Sequence, residues 1–196
     1  MYRCFFKRGI DIVGAITLLP IVVLIVMLFA PIIWFTDRGS IFYNGERMGK
    51  NGKPFKMFKL RSMYVNSKDI RNADGSTYNS DNDIRVTPIG RFLRKTSLDE
   101  VPQLLNVLLG DMSFVGPRPS LTTTPYSEYN EIRKKRVSVR PGVTGFSQAY
   151  YRNSITQDEK FEYDAYYVDH ISFMLDVKVL MATVNTVIRH KNINTK

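Results

Sequence analysis

The sequence predicts a helix-rich α/β protein of the α+β kind: an apolar N-terminal helix at a membrane, then a small polar domain with a β-hairpin and amphipathic helices. Three observations predict it. Residues 12–36 hold no charged side chain over 25 positions, and about 20 apolar residues, at about 1.5 Å each, cross a hydrocarbon core. Lys50-Asn51-Gly52-Lys53 stands between two runs of β character at residues 40–43 and 54–60, and Asn-Gly favours the type I′ turn of a hairpin. Farther on, apolar residues recur at helical spacing in several segments.

The chain has 196 residues with 28 Lys and Arg against 18 Asp and Glu, a net +10, at a size that suits one compact domain. Collagen-like, disulfide-scaffold and fully disordered classes are excluded. Cys4 has no partner within the chain, and with His170 and His190 it builds no zinc cluster. Residues 1–37 carry three basic and two acidic groups, which leaves +9 on residues 38–196. The expected division is therefore a membrane segment at 1–37 and a basic domain at 38–196.

A cleaved signal peptide fits the first segment poorly, because the apolar run is too long and no small-x-small site follows it before Asp37. Arg3, Lys7 and Arg8 precede the run, while Arg38, Arg47, Lys50, Lys53, Lys56, Lys59 and Arg61 follow it. Positive-inside reasoning wants both ends in the cytoplasm. Pro20 removes a helix hydrogen bond and bends the helix near the middle of the run, which gives a re-entrant, monotopic hairpin. An ordinary spanning helix with a proline kink is the alternative. Pro31 marks the exit toward the interface.

The remaining elements follow in order. Residues 66–83 are polar, lack apolar periodicity and read as a long loop or lid. Residues 89–96 and 97–109 read as helices, the second ended by Gly110. Ser97 with Glu100 matches a capping box, but Pro102 suits a first turn, so a later start would leave Asp99-Glu100 just before the helix. Residues 126–136 read as a helix, 137–150 as β character interrupted by Pro141-Gly142 and Gly145. Thr156 with Glu159 forms a second capping box before an aromatic helix, and residues 173–189 form the last helix.

Asp99 and Glu100 are the first candidates for chemistry. Neighbours on a helix point about 100° apart, so they would not share one proton as facing carboxylates do. One can attack phosphorus while the other holds Mg²⁺, although acidic groups at a helix start are common dipole complements. Arg118, between Pro117 and Pro119, is held with little backbone freedom and can bind an anion through two bonds, or it is simply a rigid surface turn. Lys59, Arg61, Arg91 and Arg94 complete the basic candidates. The run Arg133-Lys134-Lys135-Arg136 reads as a solvated helix end or a patch for anionic lipid headgroups. Tyr166, Tyr167 and both histidines read as packing, and Cys4 as incidental or acylated.

These residues also carry a resemblance. Lys7-Arg8 with Asp11, the Pro-containing apolar segment, residues 55–63 (FKMFKLRSM), Arg91 to Gln103 (RFLRKTSLDEVPQ), Gly110 to Pro119 (GDMSFVGPRP) and Arg140 to Gly145 (RPGVTG) together resemble the bacterial sugar transferase family, the small monotopic phosphoglycosyl transferases. Each piece is weak, but their joint spacing is specific and extends from about residue 7 to residue 180. Two departures stand out: Leu19 precedes Pro20 where some members have a small polar residue, and Lys59-Leu60-Arg61 replaces Lys-Phe-Arg.

The resemblance implies transfer of a sugar 1-phosphate from a UDP-sugar to polyprenyl (undecaprenyl) phosphate, with UMP released. That reaction is a first membrane step of glycoprotein, O-antigen, capsule or exopolysaccharide synthesis. By carry-over Asp99 is the nucleophile that forms a covalent phosphosugar intermediate, and Glu100, with Asp99, binds Mg²⁺. Arg118 with Pro119 binds the nucleotide end, Lys59, Arg61 and Arg94 contact phosphates, and Asp176 lies near the active site. Lys7, Arg8 and Pro20 belong to the membrane and its headgroups. The enzyme would sit in the bacterial inner membrane with its catalytic domain on the cytoplasmic face and no nucleic-acid partner. A second copy or downstream glycosyltransferases are the protein partners it would meet. A membrane-anchored adaptor without catalysis is the alternative from another class, and a one-step transferase with Asp99 as general base is the alternative mechanism.

Overall fold

In the computed structural model, which describes residues 2–70, 78, 80, 82–152 and 154–188, a π-helical turn at Tyr2–Phe6 leads into α1, Lys7–Asp37. Helix α1 runs unbroken through Pro20 and Pro31, and Pro20 is exposed. It ends where Arg38 turns left-handed (φ 52°) and donates its N–H to the Trp34 carbonyl at 2.7 Å. By length and composition α1 can cross a membrane, and Val13, Leu24, Met27 and Phe35 point outward, exposed.

Both ends of α1 are fixed to the same domain. At its start, Lys7 Nζ lies 2.6 Å from Asp176. Arg8 donates to the carbonyls of Val107 and Leu108 at 2.5 and 3.0 Å. Asp11 accepts from Ser113 Oγ and from the Phe114 N–H at 3.1 and 3.0 Å. At its end, Asp37 pairs with Arg61 at 2.6 Å and accepts the Val65 N–H at 2.8 Å. Phe29 and Ile33 close a core with Leu60 and Leu93, while Ala15 joins Met57, Val107 and Met112. Fully burying a side chain of the Val, Leu or Phe size contributes about 1.5–3 kcal/mol, so the domain core itself holds α1.

Strand β1 (Phe42–Met48) pairs antiparallel with β2 (Pro54–Leu60), from Phe42 opposite Leu60 to Met48 opposite Pro54. The turn is the expected one: Asn51 and Gly52 have φ of 56° and 76°, and Lys53 N–H reaches the Lys50 carbonyl at 3.3 Å. The first strand, expected at residues 40–43, runs later and longer, because pairing with β2 recruits Asn44, Gly45 and Glu46, which have no β propensity of their own.

Helix α2 (Pro88–Thr96) is capped by Thr87, whose side chain accepts the Gly90 N–H at 2.9 Å. Ser97 then adopts φ 58°, Leu98–Glu100 form a 3-10 turn, and α3 occupies Gln103–Leu109. The Ser97 capping box does not form, since Ser97 ends α2 instead. Pro102 delays the next helix, and Asp99 and Glu100 lie just ahead of it.

Strand β3 (Ser113–Val115) runs parallel to β4 (Gly142–Thr144). A Cβ on Gly142 would stand 2.2 Å from the Gly116 nitrogen, so glycine is what lets this stretch approach the residues after β3. The β character read over 137–150 shrinks to β4, since Phe146–Tyr150 form α5. The helix expected over 126–136 splits into a 3-10 turn at Tyr126–Glu128 and α4 (Glu131–Arg136), where Asn130 caps the Arg133 N–H at 2.9 Å. Helix α6 (Gln157–Asp169) has its Thr156–Glu159 capping box formed in both directions, and α7 (Phe173–Ile188) closes the described fold. Val115, Ala149, Tyr167, Val168 and Val179 make the core where β3, α5, α6 and α7 meet. Half of the loop expected at 66–83 (71–77, 79 and 81) lies outside the described residues, as does His190.

Candidate active site

The turn after α2 carries Asp99 inward and Glu100 toward a cleft. Asp99 is buried, at 7% exposure. Glu100 Oε1 accepts from Lys59 Nζ, on β2, at 2.5 Å and from Arg118 Nη2 at 3.3 Å. Arg118 is itself half-exposed, presented by the turn after β3. Arg94, on α2, donates from Nε to Ser62 Oγ at 2.9 Å and adds a positive field at both carboxylates.

The two neighbouring acids titrate apart. Burial pushes Asp99 up to about 6 and the Glu100 charge adds to the rise, with Lys59, Arg94 and Arg118 opposing it. Burial also pushes Glu100 upward, but the charges and hydrogen bonds of Lys59 and Arg118 together outweigh it and hold Glu100 down to about 2. At neutral pH both are ionised, Glu100 firmly neutralised and Asp99 poised as the more basic, less solvated oxygen donor, a combination suited to nucleophilic attack.

Beside Glu100 opens a cavity of about 240 Å³, walled by Leu18 of α1, Leu104, Phe114 and Val187, with Arg152 at the same site as Glu100. Sequence reading missed Arg152. Burial lowers its pKa while Glu100 raises it, and its φ of 49° marks a turn that no local pattern announced. It also missed Asn106, which is fully buried. Asn106 Oδ1 accepts the Phe58 N–H at 2.9 Å and its Nδ2 donates to the Lys56 carbonyl at 2.8 Å, which fastens the Lys59 strand to α3. A lone amide inside Leu104-Leu105-Asn106-Val107-Leu108 was the available signal, because a buried polar group needs partners.

Other expected site residues go elsewhere. Arg61 is engaged by Asp37 and by the Ile33 carbonyl at 3.2 Å, so it anchors the end of α1 rather than joining the acidic pair. Asp176 is buried, accepting from Tyr2 and Lys7 through Oδ2 and from Tyr167 through Oδ1, each at 2.6 Å. Lys7 and Arg8, expected at the headgroups, direct their charged ends to Asp176 and to the carbonyls ending α3. Arg91 is exposed and Pro119 half-buried beside Arg118. The basic run is no uniform patch: Lys135 pairs with Asp169 at 2.5 Å, Arg133 lies 4.2 Å over the Tyr129 ring, and Arg136 is interior. His170 stacks on Tyr166, with 4.0 Å between ring centroids. Among the described residues no three His, Cys, Asp or Glu gather to hold a metal by themselves. Asp99 and Glu100 nonetheless fit Mg²⁺, which is usually held by one or two carboxylates and completed by water and substrate phosphates.

A buried acid and a neutralised acid, ringed by Lys59, Arg94 and Arg118 next to an apolar cleft walled in part by a membrane-type helix, define a class of membrane-associated, anion-handling domain. The chain belongs to the bacterial sugar transferase family, whose model matches residues 2–190. It is 41% identical to the sugar transferase EpsL of Bacillus subtilis, covering 93% of this chain and 87% of that protein. It is 40% identical to the galactosyl transferase CpsE of Streptococcus agalactiae, over 93% of this chain and 42% of that one. With a UDP-glucose:undecaprenyl-phosphate glucose-1-phosphate transferase of Klebsiella pneumoniae it shares 38% identity over 91% of this chain and 39% of the other. The chain thus spans less than half the length of the last two.

Proposed function

We propose that this protein transfers a sugar 1-phosphate from a UDP-sugar to polyprenyl phosphate. The observation that carries the proposal is the division of labour at Asp99 and Glu100: one carboxylate buried and basic, its neighbour neutralised by Lys59 and Arg118, at the mouth of a cleft that Leu18 of α1 helps to wall. An Asp99 oxygen attacks the sugar-linked phosphorus of the UDP-sugar. The bond from that phosphorus to the bridging oxygen breaks, and UMP leaves with the electron pair. The polyprenyl phosphate oxygen then attacks the same phosphorus, which frees Asp99 and gives the diphosphate-linked sugar. Lys59, Arg94, Arg118 and Arg152 supply fixed positive charge for phosphates that would otherwise repel one another. Glu100 with Asp99 would hold Mg²⁺, which supplies charge neutralisation at the diphosphate.

The membrane path follows the same reading. A straight helix that crosses a bilayer cannot keep both ends on one soluble domain, yet Lys7 and Asp37 both pair with residues of this domain. That supports a re-entrant α1, entering and leaving at the cytoplasmic face of the inner membrane, with the apolar cleft open to an isoprenoid chain.

The test is UMP release from a panel of UDP-sugars in detergent, with and without undecaprenyl phosphate and Mg²⁺. Sustained turnover should require all three components, and without the lipid each protein molecule should release one UMP and gain the mass of one sugar phosphate, which a one-step mechanism does not give. An Asp99→Asn variant of undiminished rate would overturn the nucleophile. Periplasmic labelling of a cysteine introduced at either flank of α1 would overturn the re-entrant path.

A further inference from the structure

The Gly116-to-Ser120 turn that carries Arg118 has its flanks tied to neighbouring backbone: Gly116 N–H to the Thr144 carbonyl at 2.9 Å, Gly142 N–H to the Pro117 carbonyl at 3.0 Å, and Met48 N–H to the Ser120 carbonyl at 2.8 Å. The Arg118 carbonyl between them is taken by a side chain, Nη2 of Arg136. Nη1 of the same guanidinium donates to Ser120 Oγ and Nε to Asp164 Oδ2 at 2.7 Å, while Asp164 Oδ1 accepts from Ser147 Oγ at 2.7 Å. Arg136 and Asp164 are 5% and 1% exposed, and the Phe161 ring lies 4.8 Å from the guanidinium carbon. Helices α4, α5 and α6 thus converge through one buried ion pair on the turn that brings Arg118 to Glu100.

We propose that Arg136 and Asp164 are positioning residues for nucleotide-sugar binding, setting where the Arg118 guanidinium stands by holding Arg118's own carbonyl. This rests on the reading that Arg118 binds a substrate phosphate. A rigid Pro-Arg-Pro segment restricts internal torsions but not its placement against the body of the domain, and Arg136 supplies that placement. Lysine at 136 keeps the charge beside Asp164 but has one nitrogen in place of three in a fixed fork, so the tether to the turn is lost. A displacement of about 1 Å at a substrate-positioning group can cost on the order of 100-fold.

The experiment measures kcat and KM for UMP release by the full chain in detergent, with the UDP-sugar it accepts. Arg136→Lys should raise KM about 10- to 100-fold with a smaller change in kcat. In an Arg118→Ala background the same substitution should add little, because its effect runs through Arg118. Arg136→Met combined with Asp164→Leu removes the pair without leaving a buried charge; it should melt near the wild-type temperature and still show the raised KM. Effects of Arg136→Lys and Arg118→Ala that multiply, or a wild-type KM in the paired variant, overturn the proposal alone. An Arg118→Ala variant indistinguishable from wild type overturns the reading of Arg118 and the proposal with it.

Discussion

Asp99–Glu100 and Asp176 are two acidic centres surrounded by cations and hydroxyls, and they differ in what their oxygens have left to do. Both oxygens of Asp176 are taken at 2.6 Å, by Tyr2, Lys7 and Tyr167, in a closed knot that joins the start of α1 to α6 and α7. At the other centre the cations converge on Glu100 and leave Asp99 buried with its pKa raised. A carboxylate with both oxygens engaged by charged and hydroxyl donors is a structural joint. One that is desolvated, and only partly compensated by charges on its neighbour, holds free energy that a reaction can draw on.

That contrast can be broken by substitution. The largest effect is expected for Asp99→Asn, which should lower UMP release about 10³-fold or more, as loss of a nucleophile does, while the yield of folded protein in detergent stays intact. Asp176→Ala should do the opposite: removing one partner leaves Lys7 and the Tyr2 hydroxyl stranded, while Tyr167 keeps the Val115 carbonyl at 3.1 Å, at a cost of about 3–5 kcal/mol in stability. Folded enzyme should keep activity within about tenfold; a 10³-fold fall with an unchanged melt would place Asp176 in the chemistry instead.

The same Asp99→Asn variant should gain roughly 1–3 kcal/mol of stability above pH 6. The sign follows from the raised pKa: the folded state resists ionising Asp99, so its penalty is absent below about pH 4, grows to about pH 6 and stays constant above. Thermal melts at pH 4 and pH 7.5 check it, and equal gains at both would refute the burial explanation. In wild type, kcat/KM should rise with pH and level off above about 6 as Asp99 ionises, losing about tenfold per unit below that. An acid limb near pH 4 would mean that Asp99 is not the group that must ionise. The smallest effect belongs to Thr156→Ala, which opens the capping box at the start of α6, where the Thr156 side chain bonds Glu159. It should cost about 1 kcal/mol, about 2–4 °C in Tm, with no change in kcat.

Legibility in the sequence followed the range of the interaction that fixes each feature. Asn51-Gly52 set the hairpin turn and Thr156 with Glu159 capped α6, because both act within three residues. Ser97 with Glu100 carried the same local pattern and failed, because Pro102 and the end of α2 claimed those residues first. Lys59, Arg94 and Arg118 were legible as cations near an acidic pair, whereas Arg152 and Asn106 were not, their importance arising from contacts across the fold. Arg136 was misread for the same reason. In a run of four basic residues nothing local marks the one that turns inward, and it is chosen by the buried carboxylate of Asp164, 28 residues away.

The sequence by itself determined the apolar segment, the basic domain, the hairpin turn, the helices with strong periodicity and the motif set that resembles the family, all properties of composition or of neighbours in the chain. Only the tertiary structure decided which charged groups face a cleft and which are spent on structure. It moved Arg61 and Asp176 to the two ends of α1, gave Asp99 and Glu100 opposite pKa shifts, and tied Arg118 to Arg136. Desolvation and pairing of charge depend on what the fold brings alongside each group, and residues adjacent in sequence can differ in both.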